Sequence, residues 1–406
     1  MGRAMMERCL TSAEHSLGQT SCEYLARRFG TPLYVYDASR IREAYGSFAS
    51  VFSHKPLEIH YAIVCNKNRY IVRLLRDLGA GIHANTPGDA YAALKAGVPS
   101  SSIVYSGTNL DAADFDFLLK NGLRVNLDSL DQLRDLAARR HGTECGLRFL
   151  IDADQGGNRI GVTSLELPEA LKIARNSGMR LSGLHMYAGT NTCNPRRFLE
   201  CFDRLAKASD LLPDLEYLDL GGGFGVAYRE QSEPLDLNAF GKAISERMAG
   251  LCQRRGRGVR LILEPGGTLV AAAGSLLMTV VSVKERGGRR FVGVDSTVGN
   301  IVVESVYHPY HRIEPACPRG RPMDIGTDIC GNTTHAKDFL GRGIRLPEVR
   351  PGDLLRLGDV GAYGYAMSSH FLNRPRPAEV VVDGEEVHLT TRRETFEDLI
   401  ATQLSV

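Results

Sequence analysis

The chain has 406 residues, enough for two domains, with 43% hydrophobic and 24% charged residues and a formal net charge of +2. That near-neutral balance gives no basic field for nucleic acid or an anionic membrane surface. Nine cysteines without CxxC or Cys/His ligand spacing fit reduced thiols in a cytoplasmic protein better than a disulfide framework.

The N-terminus MGRAMMERCL has no apolar signal core. The longest apolar run, Leu269 to Val283, is broken by Gly274, Ser275, Thr279 and Ser282, so no membrane span is expected. From residue 57 to 265 the pattern alternates. Strands are expected over 58–64, 80–85, 102–106, 124–128, 146–152, 181–187, 215–220 and 260–264. Helical spacing fills the intervals, as in 70–79, 87–97, 129–140 and 194–208.

Eight such units could form an open doubly wound sheet or a closed (β/α)8 barrel. The count favours the barrel, and so does the placement of chemistry. Asn66, Thr86, Ser106, Asp128, Asp152, Thr190, Gly221 and Glu264 follow the strand ends, which meet at one face in a barrel. After about residue 275 the chain reads TVVSVKE, RRFVGVD, GDLLRLGD, AEVVVDG and EVHLTTRRE, strands parted by turns, predicting a mainly β second domain. The expected division is 1–38, carrying a strand (TPLYVYD) that joins the β domain; 39–270, the barrel; and 271–406, the β domain.

Two glycine turns single out a ligand site. The seventh barrel strand runs into Gly221-Gly222-Gly223-Phe224-Gly225 and the eighth into Glu264-Pro265-Gly266-Gly267. Glycines leave amides open to an anion, and the loops after strands 7 and 8 are where barrels frequently bind phosphate. Thr190 adds a hydroxyl on the same side. Glu264 would be repelled by a phosphate ligand unless that ligand also carried a positive group. A protonated ring nitrogen meets that need, which points to pyridoxal phosphate; the competing reading pairs Glu264 with an arginine inside the barrel.

At this point TPLYVYD, YAIVCN, NRIGV, GLHMYAGT, LDLGGGFG, EPGG, PGDLLRLGDVGAYGYAMSSHF and NRPRPAEVVVDG together resemble the barrel-fold pyridoxal-phosphate decarboxylases. This group contains diaminopimelate and eukaryotic-type ornithine decarboxylases. The resemblance covers nearly the whole chain. It implies an alanine racemase-like barrel, a C-terminal β domain and a head-to-tail dimer with shared sites. It also implies that Gly221, Gly222, Gly223, Gly266, Thr190 and Tyr363 hold the phosphate and Glu264 faces the ring nitrogen. Cys330 would come from the partner subunit to protonate the intermediate.

The chain departs from that pattern at the site. The Schiff-base lysine of Y-A-V-K-A-N falls on Val64, which offers no amine, and Lys67 is the nearest substitute. The ring-stacking histidine falls on Tyr187, the acid after strand 2 on His83, and the arginine after EPG on Gly267. The acid after the cysteine falls on Gly331, and the arginine that reads a distal carboxylate on Val303. His308, His311 or Arg312 could line a different substrate pocket, although histidines in such a loop more often lie on the surface.

Three functions compete. The first is a pyridoxal-phosphate carboxy-lyase acting on an unusual amino acid. The second is a non-catalytic or regulatory homologue that binds cofactor or pairs with an active subunit. The third is a different reaction in the same pocket, with His83 and Tyr187 as acid/base groups.

Overall fold

The computed structural model describes residues 16–151, 159–229, 231–302, 310–317 and 325–404. It begins with a hairpin, β1 (Ser16–Leu17) and β2 (Thr20–Ser21), followed by β3 (Leu33–Asp37). Eight parallel strands then close into a barrel: β4 (Leu57–Ala62), β5 (Gly81–Ala84), β6 (Ile103–Tyr105), β7 (Arg124–Leu127), β8 (Glu144–Arg148), β9 (Arg180–His185), β10 (Tyr217–Asp219) and β11 (Arg260–Leu263). The closing pair is β11 with β4, in register Leu261 to Leu57. The strands form where β-prone residues face a core on both sides. Helices start after them at Asn68, Thr86, Asp111 and Ser129, whose side chains accept amide hydrogens of the first turn.

Two clusters fix the barrel locally. Tyr217 fills its interior because Gly146 and Gly183 leave room for the ring, and its hydroxyl donates to Asn126 Oδ1 at 2.6 Å. Phe224, in the middle of the glycine turn, stacks on Phe198 with ring centres 4.8 Å apart and meets Phe48 and Phe240. Aromatic packing of this kind is worth about 0.5–1.5 kcal/mol per pair beyond buried area. It anchors the turn to its surroundings.

The chain divides into two compact units. One holds residues 44–227 and 233–269; the other holds 1–43, 228–232 and 270–406. In the second unit β12 (Gly274–Arg286), β13 (Arg289–Val294), β14 (Ile313–Pro315), β15 (Thr327–Cys330), β16 (Phe339–Ile344), β17 (Leu354–Gly358), β18 (Ala378–Asp383) and β19 (Glu386–Thr391) build a mixed sheet around β3. β3 lies between β12, antiparallel, and β18, parallel. Among the described residues no helix is long and apolar enough to cross a membrane.

One expected strand ends early. β4 stops at Ala62, and Ile63–Cys65 form a 3-10 turn closed by the Asn66 amide on the Ile63 carbonyl. Strand alternation therefore does not relate Val64 to Asn66.

Candidate active site

The turns after β9, β10 and β11 pack backbone to backbone. The Glu264 amide donates to the Gly221 carbonyl at 2.8 Å, and the Thr192 amide to the Gly223 carbonyl at 2.8 Å. A Cβ would overlap the Met186 carbonyl oxygen from Gly221, that of Glu264 from Gly222 and that of Gly189 from Gly223. Gly266 sits against Cys65 Sγ just as closely. Glycine is required at these positions by close approach, and at Gly221 and Gly223 also by positive φ (64° and 86°). Among the described residues, the amides of Gly222, Gly223 and Gly266 donate to no protein acceptor. Beside them the Tyr187 and Thr190 hydroxyls hydrogen-bond at 2.9 Å, and the Tyr187 ring lies against Gly223. Open amides plus a hydroxyl fit a phosphate.

Behind the cradle lies a buried acid and histidine cluster. Glu264, 2% exposed, directs Oε2 to His185 Nε2 at 3.2 Å and His83 Nε2 at 3.5 Å, and the two imidazoles stack nearly parallel. No arginine ion pair holds Glu264 among the described residues, so the arginine reading gives way to two histidines from β5 and β9. The Glu264 and Asp219 carboxyls face each other and share a hydrogen bond, and His185 Nδ1 is buried without a hydrogen-bond partner. Burial pushes the Glu264 carboxyl up to about 8, and that of Asp219 to about 8 with the charge of Glu264 adding to it. Burial drives His185 down to about 4 and His83 well below the usual histidine range, so both rings are neutral.

The other expected residues are placed as follows. Val64 is 37% exposed between buried Ile63 and Cys65, and Lys67 is exposed between buried Asn66 and Asn68. Thr86 caps a helix, and Ser106 accepts from Asn126 in the chain that ends at Tyr217, so these two serve structure. Cys330 ends β15, half-buried; burial and the Asp328 charge raise its thiol, keeping the proton on sulfur. Tyr363 adopts φ of 61°, a strained conformation for a bulky residue. Arg312 pairs with Glu314 at 3.2 Å. His311 is buried, with Nδ1 on the Gly358 carbonyl, so the surface expectation fails for it. Asp152, Val303 and His308 lie outside the described residues.

Three residues escaped sequence reasoning. His185 and Asp219 sit on β9 and β10 within apolar runs that read as plain core. Arg148, at the end of β8, lies over the Tyr187 ring at 5.8 Å and draws on the charges of Glu264, Asp128 and Asp219. Its signal was a lone arginine in the otherwise apolar GLRFL.

Residues 38–271 match the family model for the pyridoxal-binding domain of pyridoxal-dependent decarboxylases. Diaminopimelate decarboxylase of Methanothermobacter thermautotrophicus is 34% identical, covering 95% of both chains. That of Neisseria meningitidis serogroup A is 32% identical, covering 94% of this chain and 97% of that protein. The solved diaminopimelate decarboxylase of M. jannaschii in complex with L-lysine superposes with a TM-score of 0.89 at 27% identity, covering 96% of this chain and 95% of that one. The cradle, the buried glutamate and these matches agree: the chain belongs to the pyridoxal-dependent decarboxylase family, whose cofactor is pyridoxal phosphate.

Proposed function

We propose that this chain is a pyridoxal-phosphate carboxy-lyase, acting as a homodimer on a small amino acid other than ornithine or diaminopimelate. The observation that carries the reading is that three open glycine amides and the Tyr187–Thr190 hydroxyl pair share one barrel end with Glu264. Pyridoxal phosphate, when bound, supplies an electron-withdrawing ring that takes up the electron pair left as carbon dioxide departs. The amides of Gly222, Gly223 and Gly266 and the Thr190 hydroxyl would bind its phosphate. Glu264 would face the ring nitrogen. Tyr187 offers its ring for stacking in place of a histidine, and Arg148 replaces some of the positive charge that Gly267 lacks. Cys330, protonated at neutral pH, suits proton delivery from the partner subunit.

Val64 brings no amine, so these noncovalent contacts carry the cofactor, and Lys67 is the amine nearest that turn in sequence. His83 in place of an acid argues against a diamine precursor. A broad panel of amino acids should show carbon dioxide release with at least one substrate. No release from any of them, with cofactor demonstrably bound, overturns the reading.

The exposed valine also favours a second reading, a non-catalytic subunit that pairs with a lysine-bearing homologue and lends it Cys330. Co-purification with such a homologue supports it, and a catalytically active homodimer excludes it.

A further inference from the structure

The cluster at the barrel centre places three lone-pair atoms on three different strands: His83 Nε2 from β5, His185 Nε2 from β9, and a carboxylate oxygen of Glu264 just past β11. We propose that His83, His185 and Glu264 bind a divalent transition cation of the zinc or cobalt type.

The distances suit one. Ligands about 2.0–2.2 Å from a tetrahedral ion stand about 3.3–3.5 Å from one another. Glu264 Oε2 lies 3.2 Å from one imidazole nitrogen and 3.5 Å from the other, with all three atoms within 4.8 Å. A hydrogen bond accounts for the His185 contact. It does not account for His83, whose Nε2 is buried, 3.5 Å from that carboxylate oxygen, and in no hydrogen bond. A proton on Glu264 can serve only one of the two imidazole nitrogens at a time, whereas a cation serves all three atoms at once.

The donor set also selects the ion. Two imidazoles and one carboxylate suit zinc, cobalt or nickel, whereas magnesium and calcium require mainly oxygen. Both rings are in the neutral form that ligates, and three protein ligands leave a fourth position open. The site uses Glu264, which the cofactor reading also uses, so the two are tested separately.

The test is a cobalt titration of the full-length, chelator-treated protein. One equivalent should bind per chain with the intense visible absorption of a tetrahedral site, and zinc should displace it. His83→Ala should weaken cobalt binding by at least about 100-fold, since even groups that only orient ligands contribute about 10- to 100-fold. His388→Ala, which removes a surface histidine next to Glu386, should leave the titration unchanged. Thermal melts of each variant establish that it is folded. Absence of the absorption in wild-type protein, or its persistence in folded His83→Ala, overturns the proposal. Pyridoxal phosphate is titrated separately into the metal-free protein, and failure there bears only on the cofactor reading.

Discussion

Gly223 lies directly against the carbonyl oxygen of Gly189, so closely that a Cβ there would overlap it, and its φ of 86° is one that side chains rarely adopt. The turn after β10 and the turn after β9 are thereby held as one surface. Gly223→Ala should cost about 1–3 kcal/mol of stability through strain and clash. It should also weaken pyridoxal phosphate binding by at least about 10-fold, because the amides no longer converge. Gly256→Ala is the control, having φ of 65° with open space around it; it should cost about 1 kcal/mol and leave cofactor binding intact. Fluorescence titration and thermal melts compare the two, and equal binding by both variants counts against the cradle.

The proposed alignment puts the family's lysine at Val64, which is exposed on its short turn. Val64→Lys should therefore gain a visible absorption band with pyridoxal phosphate, and borohydride should fix the label at residue 64. Wild-type protein labelled at Lys67 would show that the chain already has its substitute. A variant that binds cofactor without forming the band would mean that residue 64 does not face it.

The barrel was legible because parallel strands buried on both faces read as apolar runs, each ended by a polar or glycine residue. Gly221–Gly223 and Glu264 stood out for the same reason: they interrupt such runs. β14, β15 and β16 were not legible. The sequences IEP, TDIC and FLGRGI hold too few alternating residues, and their pairing comes from distant parts of the chain. The partners of His83 were hidden for another reason. A histidine within an apolar strand looks like core until the barrel closes and sets β5, β9 and β11 side chains together.

The same cluster makes stability depend on pH. Asp219 and Glu264 hold protons up to about pH 8 that the unfolded chain releases near 4, so these groups lower stability as pH rises through that window. His185 acts in the opposite sense. Its pKa is lowered from 6.5 to about 4, so the stability it contributes is lost as pH falls between those values, and His83 shifts in the same direction. The effects oppose each other from about pH 4.5 to 6.5, and only the carboxyl effect remains above that. Melting temperature should fall between about pH 6.5 and 8. Glu264→Gln removes one of the two carboxyls, so its loss in that range should be smaller, and its loss on acidification below 6.5 steeper. Parallel slopes for variant and wild type would refute the assignment.

Tyr187 and Thr190 test whether the cradle is organised beyond its glycines. Their hydroxyls meet at 2.9 Å, so the tyrosine fixes the threonine rotamer beside the open amides. A hydrogen bond of this kind is worth about 0.5–1.5 kcal/mol, roughly a 2- to 13-fold change in affinity. Tyr187→Phe keeps the ring and removes the contact, and Thr190→Ala removes the hydroxyl that it aligns. Each should weaken cofactor binding by about that factor. The double variant should lose less than the sum, because both act on a single phosphate contact. Strict additivity would show that the two hydroxyls act independently of each other.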